Sequence, residues 1–238
     1  LNEINVDDNK IININPRSIV VVADATFFTK SYGALIFREP NLKVNLAWKE
    51  ICSETPGQYE HLKTKLECEG FIIKAVVLDG KRGVRQVFSG VPAQMCHFHQ
   101  VAIINRYLTR RPILEASQEL RKIALQLAGS TEKEFSKSLE DWHEKWKEFL
   151  KEKTVNPFTD KWHYTHKRLR SAYRSLKTNL PYLFVYQKYP ELNIPNTTNS
   201  LDGSITTLKN LLRIHRGMNQ QNRYKMICQI LRKQPHKY

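Results

Sequence analysis

Apolar residues in this chain come first as unbroken runs and only later at helical spacing. Ile19-Val20-Val21-Val22-Ala23 is one run and Ile72-Ile73-Lys74-Ala75-Val76-Val77-Leu78 another. Runs of this length, bounded by turn residues, read as buried strands. Residues 18–28 are therefore predicted as a strand, with Gly33 to Arg38 and Lys43 to Cys52 as two more, separated by the turn signals Tyr32-Gly33 and Pro40-Asn41. Three strands joined by short turns predict an antiparallel meander. Leu62, Leu66 and Glu69 keep helical spacing and Gly70 closes it, so Tyr59 to Glu69 reads as a helix leading to the strand Phe71 to Leu78. Such a crossover lays that strand parallel to the first. Lys81 to Phe88 reads as a short helix and Pro92 to Cys96 as a last short strand.

Beyond His99 the texture changes to long helical patterns rich in Lys and Glu: Gln100 to Leu108, Ile113 to Leu127, and Glu132 to Lys151 with Trp142, Trp146 and Phe149 on one face. Thr159 to Leu176, Ser200 to His215 and Asn219 to Arg232 continue it. The expected fold class is α/β, and the order of elements resembles an RNase H-like mixed five-stranded sheet with an all-helical insertion before the last core helix. Residues 1–109 would form the first part of the core, 110–195 the insertion, and 196–238 the C-terminal core helices.

Charge sharpens this division. The chain carries 38 Lys and Arg against 23 Asp and Glu, a formal net charge of +15. Residues 1–90 are nearly neutral, and the excess falls almost entirely on residues 91–238. From Lys161 onward the only acids are Glu191 and Asp202. A near-neutral sheet joined to a basic remainder fits a catalytic core beside a phosphate-gripping surface. No apolar run approaches the roughly eighteen residues of a membrane span, and no basic leader opens the chain. A start at Leu1 rather than Met suggests a fragment. Cys52, Cys68, Cys96 and Cys228 are scattered without CxxC pairs, which points to a reduced, cytoplasmic protein.

The candidate chemistry lies at the ends of the apolar runs. Asp24 continues the first run and Asp79 ends the second, before Gly80-Lys81-Arg82. A carboxylate where periodicity expects an apolar side chain is costly unless paired or metal-bound. Hard oxygen ligands at strand ends suit Mg²⁺, which keeps open positions for water and phosphate. Asp202, in Thr198-Asn199-Ser200-Leu201-Asp202, would bring a third carboxylate at the start of a helix, where it would equally favour the helix dipole. Cys96-His97-Phe98-His99 offers half of a zinc site, or a supporting role beside the carboxylates. Trp162, Lys167, Arg168 and Arg170 interleave aromatic and cationic groups on a predicted helix. Lys209, Arg213 and Arg216 form a second cationic stripe, and both sets suit DNA.

Together, Asp24, Asp79, Cys96-x-x-His99 and Thr198-Asn199-x-x-Asp202 resemble the DDE transposases of the Mutator-like bacterial insertion sequences, and the resemblance runs on through Leu208 to Gly217. It implies an RNase H-like catalytic domain whose three acids hold Mg²⁺, with Mn²⁺ able to substitute. Asp24 would bridge two ions, with Asp79 on one and Asp202 on the other. Cys96 and His99 would support the site from its edge. Double-stranded DNA, as transposon ends and target, is the implied partner, with a homodimer on DNA and a nucleoid-associated location. The family pattern has Glu where Asp202 stands, one methylene longer. The N-terminal end-recognition domain such enzymes carry is not visible, because Leu1 to Asn15 is too short and too polar. A nuclease that cuts without joining, a transposase-derived DNA-binding protein without catalysis, and a zinc-stabilised adaptor are the competing readings.

Overall fold

The computed structural model describes residues 17–215 and 217–232, with every side chain among them except those of Asp202, Ser204 and Gln220. β1 (Ser18–Thr29), β2 (Tyr32–Glu39) and β3 (Val44–Ile51) form the expected meander. Helix α1 (Pro56–Cys68) then crosses to β4 (Ile72–Leu78), and α2 (Val84–Val87) leads into β5 (Ala93–Met95). The sheet has the order β3-β2-β1-β4-β5, with β1, β4 and β5 parallel and β2 and β3 antiparallel to their neighbours. Central strands are apolar on both faces because both faces are covered.

Alternation along β1 and β4 sends neighbouring side chains to opposite faces. Ile19, Val21, Ala23, Val76 and Leu78 pack with Tyr59, Leu62 and Leu66 of α1. Val20, Val22, Ala75 and Val77 face the other way and meet Leu201, Ile205, Leu208 and Leu212 of α8 (Asn199–Ile214). The last helix, α9 (Gln220–Arg232), closes the same face over β3: Asn45 donates to the Leu231 carbonyl at 3.0 Å, and Trp48 Nε1 donates to the Cys228 sulphur at 3.4 Å.

Between β5 and α8 lie α3 (His97–Leu108), α4 (Glu115–Leu125), α5 (Glu132–Trp146), α6 (Lys167–Leu183) and α7 (Val185–Lys188), around a separate core of Leu120, Phe135, Trp142, Leu176 and Phe184. Thr131 caps α5: its hydroxyl accepts from the Glu134 N–H, and its own N–H donates to the Glu134 carboxylate at 2.9 Å.

The expected all-helical insertion needs correction. β6 (Lys153–Val155) and β7 (Trp162–Tyr164) form a two-stranded antiparallel sheet within it. Trp162 therefore stands on a strand, and α6 begins only at Lys167. Three-residue strands carry no readable period. Their pairing, Lys153 with Tyr164, Thr154 with His163 and Val155 with Trp162, is flanked by the Thr154–Thr165 hydroxyl bond of 2.8 Å and the Phe149–His166 ring stack at 3.7 Å.

Candidate functional site

Parallel pairing matches Val22 of β1 with Val77 of β4. Two residues further along each strand come Asp24 and Asp79, so the register brings both backbones level at the carboxyl end of β4. Asp24 also pairs with Ile36 on β2, and Ile36 belongs to the core on the α8 face. Cross-strand partners share a face, so the Asp24 side chain stands on the side that α8 covers. It is 8% exposed. Its Oδ1 accepts from the Ala25 N–H at 2.9 Å.

Asp79 sits on the turn after β4, where its Oδ1 accepts from the Lys81 N–H at 2.9 Å. Gly80 makes that turn possible: its φ is +90°, and a Cβ there would lie 2.7 Å from the Met95 side chain. One sheet edge thus holds two carboxylates, each oriented by a backbone donor.

Cys96 is the N-cap residue of α3 and is fully buried. Helix α3 starts three residues earlier than the sequence pattern indicated, so the Cys96-x-x-His99 motif occupies its first turn. The Cys96 sulphur accepts from the Thr198 N–H at 3.4 Å and lies 3.5 Å from the Thr198 hydroxyl. That contact fastens the residue before α8 to the end of β5. Burial pushes the Cys96 thiol up, but neighbouring His99 and the Thr198 hydroxyl outweigh burial and hold it below its ordinary value.

The same sulphur raises the His99 imidazole to about 9, with burial opposing and the Asp24 and Asp79 carboxylates adding to the rise. His99 Nδ1 is buried without a hydrogen bond of good geometry among the described residues. Both aspartates also act on the buried Tyr59 hydroxyl, which burial raises most and Glu54 raises next.

Two of these neighbours were not apparent in the sequence. Tyr59 donates to Glu54 Oε1 at 2.8 Å, and Lys81 Nζ stands 3.6 Å from Glu54 Oε2. Burial raises the Glu54 carboxyl, and nearby Asp79 raises it further. A lone acid just ahead of a helix reads as a favourable dipole partner. Nothing local announces that Asp79 lies next to it.

His97, between the two motif residues, has a structural task. Its Nε2 lies 2.6 Å from the Leu183 carbonyl, and its ring packs edge-on against Phe184 and Tyr186. Gln94 donates to the same carbonyl at 2.8 Å and accepts from the Tyr186 N–H at 3.0 Å. These bonds tie the end of α6 to β5.

Asp202 falls on the first turn of α8, next to Leu201, which is fully buried against the face that carries Asp24. Its side chain is outside the described residues. Among the described residues no group of three or more His, Cys, Asp or Glu side chains could hold a metal ion; a set that includes Asp202 is outside that statement. Carboxylate oxygens from adjacent strands are nonetheless the donor type that hard divalent cations take.

The cationic candidates separate into two places. Lys153 Nζ lies 4.0 Å above the Trp162 ring, and the Arg170 guanidinium lies 3.6 Å above Tyr164 while donating to the Leu150 carbonyl at 2.6 Å. Arg168 donates to the Arg106 carbonyl at 2.8 Å, and Lys167 is exposed. They stand on β7 and on α6, which packs on α3, α4, α5 and β5. Lys209 and Arg213 instead stand on α8 beside Phe27, Phe28 and Tyr32; Arg216 is outside the described residues. No protein-family model matches the chain, and no curated protein matches it.

Proposed function

We propose that this chain is the catalytic part of a DNA transposase of the DDE/DDD type, with an RNase H-like core similar to that of the Mutator-like bacterial insertion-sequence enzymes. The observation that supports the reading is the β1–β4 register, which, extended by two residues, brings Asp24 of β1 level with Asp79 just past the end of β4, on the sheet that α8 covers. The sheet order, three antiparallel strands followed by two parallel ones, supports the same reading.

Asp24, Asp79 and Asp202 are the residues that would hold Mg²⁺ or Mn²⁺. Two carboxylates side by side repel each other, and Asp24 is nearly buried, so the pair favours a divalent cation. When bound there, the ion supplies Lewis-acid activation of the attacking hydroxyl and stabilisation of the leaving oxygen. The Ala25 and Lys81 N–H groups each occupy one oxygen of their carboxylate and so orient the other. Cys96 and Thr198 position α8 against the strand ends. His99, raised toward its charged form, presents positive charge at the edge where a phosphate would lie.

Lys209, Arg213, Arg216 and the set of Trp162, Lys167, Arg168 and Arg170 would grip transposon-end and target DNA through phosphates, with steep salt dependence. Joining two ends calls for a homodimer on DNA, and the location would be the nucleoid.

The test is Mg²⁺-dependent nicking and strand transfer on labelled DNA bearing the element's ends, comparing the parent with Asp79→Asn and Asp202→Ala. Both variants should lose joining by about a hundredfold or more, the scale of a misplaced reacting group. Cutting without joining in the parent would favour a hydrolytic nuclease on the same core. DNA binding with no metal-dependent cutting would leave only a transposase-derived binding protein.

A further inference from the structure

At the hairpin end of β1 and β2 a cleft of about 440 Å³ opens between the strands and α8, lined by Phe27, Phe28, Tyr32, Lys209, Arg213 and Arg223 among others. Its size falls within the range of about 300–1,000 Å³ typical of small-ligand sites. The local backbone builds it. Pairing between β1 and β2 slips between Phe27 and Thr29, and such a bulge re-aims side chains, so that consecutive residues Phe27 and Phe28 both line the cleft. The Phe27 ring lies against Gly33, where a Cβ would be 2.9 Å from Phe27 Cδ1. Phe28 is fixed by its tilted contact with Tyr32 at 5.7 Å.

The charge is one-sided at the opening. Lys209 and Arg213 are both exposed, one turn apart on α8, and neither makes an ion pair among the described residues. Among the described residues no Asp or Glu lines the cleft, although Glu50 lies beside the Tyr32 hydroxyl. Aromatic rings below and free cations above match a flat aromatic group attached to a phosphate.

Resting on the nucleic-acid reading above, we infer that this cleft takes one unpaired nucleotide of the DNA substrate, with its base against Phe27 and Phe28 and its phosphate on Lys209 and Arg213. Stacking on aromatic side chains is indifferent to base identity, and the phosphate contacts set position. The strand also supplies a ruler. Phe28 is four residues beyond Asp24 on β1, about 13 Å at ~3.3 Å per residue. At ~3.4 Å per nucleotide along a strand, this sets the unpaired nucleotide about four positions from the scissile phosphate.

Fluorescence anisotropy in EDTA tests this without any cutting, using the full chain and two labelled duplexes, one blunt and one with a short single-stranded overhang. The parent should prefer the overhang, and Phe27→Ala should reduce that preference about fivefold or more. Arg213→Gln should weaken binding and lower the salt dependence by about one phosphate contact. Phe27 is partly exposed and Arg213 exposed, so both variants should keep the parent's thermal melting, which is measured alongside. A 2-aminopurine probe walked through the overhang should change its emission most about four positions from the cut site.

Equal binding of both duplexes by the parent, or an overhang preference unchanged in Phe27→Ala and Arg213→Gln, would overturn the inference. So would Phe27-dependent binding of a phosphotyrosine peptide without an overhang preference. An overhang preference that depends on Phe27, in a protein that gives no strand transfer with Mg²⁺, would support the cleft while removing the transposase reading.

Discussion

Replacing Asp24 by Asn should change the stability of the metal-free protein by less than about 1 kcal/mol while abolishing its response to Mg²⁺. Extending the β1–β4 register by two residues brings the Asp24 backbone level with that of Asp79 on the turn after β4, and strands lie about 4.8 Å apart. If the carboxylates keep that backbone spacing of about 5 Å, two full charges repel by about 0.8 kcal/mol at the dielectric of water and about 3 kcal/mol at an effective dielectric near 20. Asp79 is partly exposed, which draws the value toward the lower figure. Against this, Asn weakens the bond from the Ala25 N–H, because bonds to a charged acceptor exceed neutral ones by on the order of 1 kcal/mol. Relief from burying the Asp24 charge adds to the gain. Loss of the attraction between Asp24 and the charged His99 opposes the gain, and at a partly exposed ring it is worth on the order of 1 kcal/mol, so the expected net change in EDTA is within about 1 kcal/mol of zero.

With Mg²⁺ at about a hundred times its dissociation constant, the parent should gain about 2.7 kcal/mol by mass action and the variant almost none, so the parent becomes the more stable. Urea unfolding followed by tryptophan fluorescence, with EDTA and with Mg²⁺, reads both quantities. A difference between the two proteins in EDTA of more than about 2 kcal/mol would refute the electrostatic argument. Equal stabilisation of both proteins by Mg²⁺ would refute the assignment of Asp24 as a ligand.

Two further outcomes follow from the same geometry. His99 is raised from 6.5 to about 9, so the stability it contributes is fully present below 6.5 and is lost as the pH rises through 9. A shift of that size corresponds to about 3 kcal/mol if unscreened, and the partly exposed ring reduces it to on the order of 1 kcal/mol. Urea midpoints of the parent and His99→Gln in EDTA should therefore converge as the pH climbs over that window, and parallel curves would contradict the assignment. Leu201→Ala removes a fully buried side chain that holds the first turn of α8 on β1 and β4. It should cost about 3 kcal/mol and speed hydrogen exchange in α8 before the sheet; a loss below about 1 kcal/mol would mean that the helix is held by other contacts.

Much of the architecture was written locally. Buried strands announce themselves as apolar runs, and the helical stretch between the run at Phe71 and the meander forces a crossover, hence a parallel pair. From that alone Asp24 and Asp79 stand out as carboxylates that close two neighbouring apolar runs. Where no local period existed, the reading failed: β6 and β7 are too short to show one, so Trp162 was assigned to a helix that begins five residues later.

Other features are decided only by three-dimensional packing, because their parts are far apart in sequence. Glu54 reaches Asp79 only because α1 docks under the sheet and brings Tyr59 with it. The Cys96–Thr198 contact, which seats α8, joins residues separated by the whole helical insertion. The cleft of Phe27 and Phe28 with Lys209 and Arg213 requires both a bulge in β1 and the course of α8 along it. Periodicities that each segment carries alone determined the order of the elements of the five-stranded sheet and the two leading carboxylates. Tertiary structure decided which residues surround those carboxylates, because long-range contacts depend on how the faces pack.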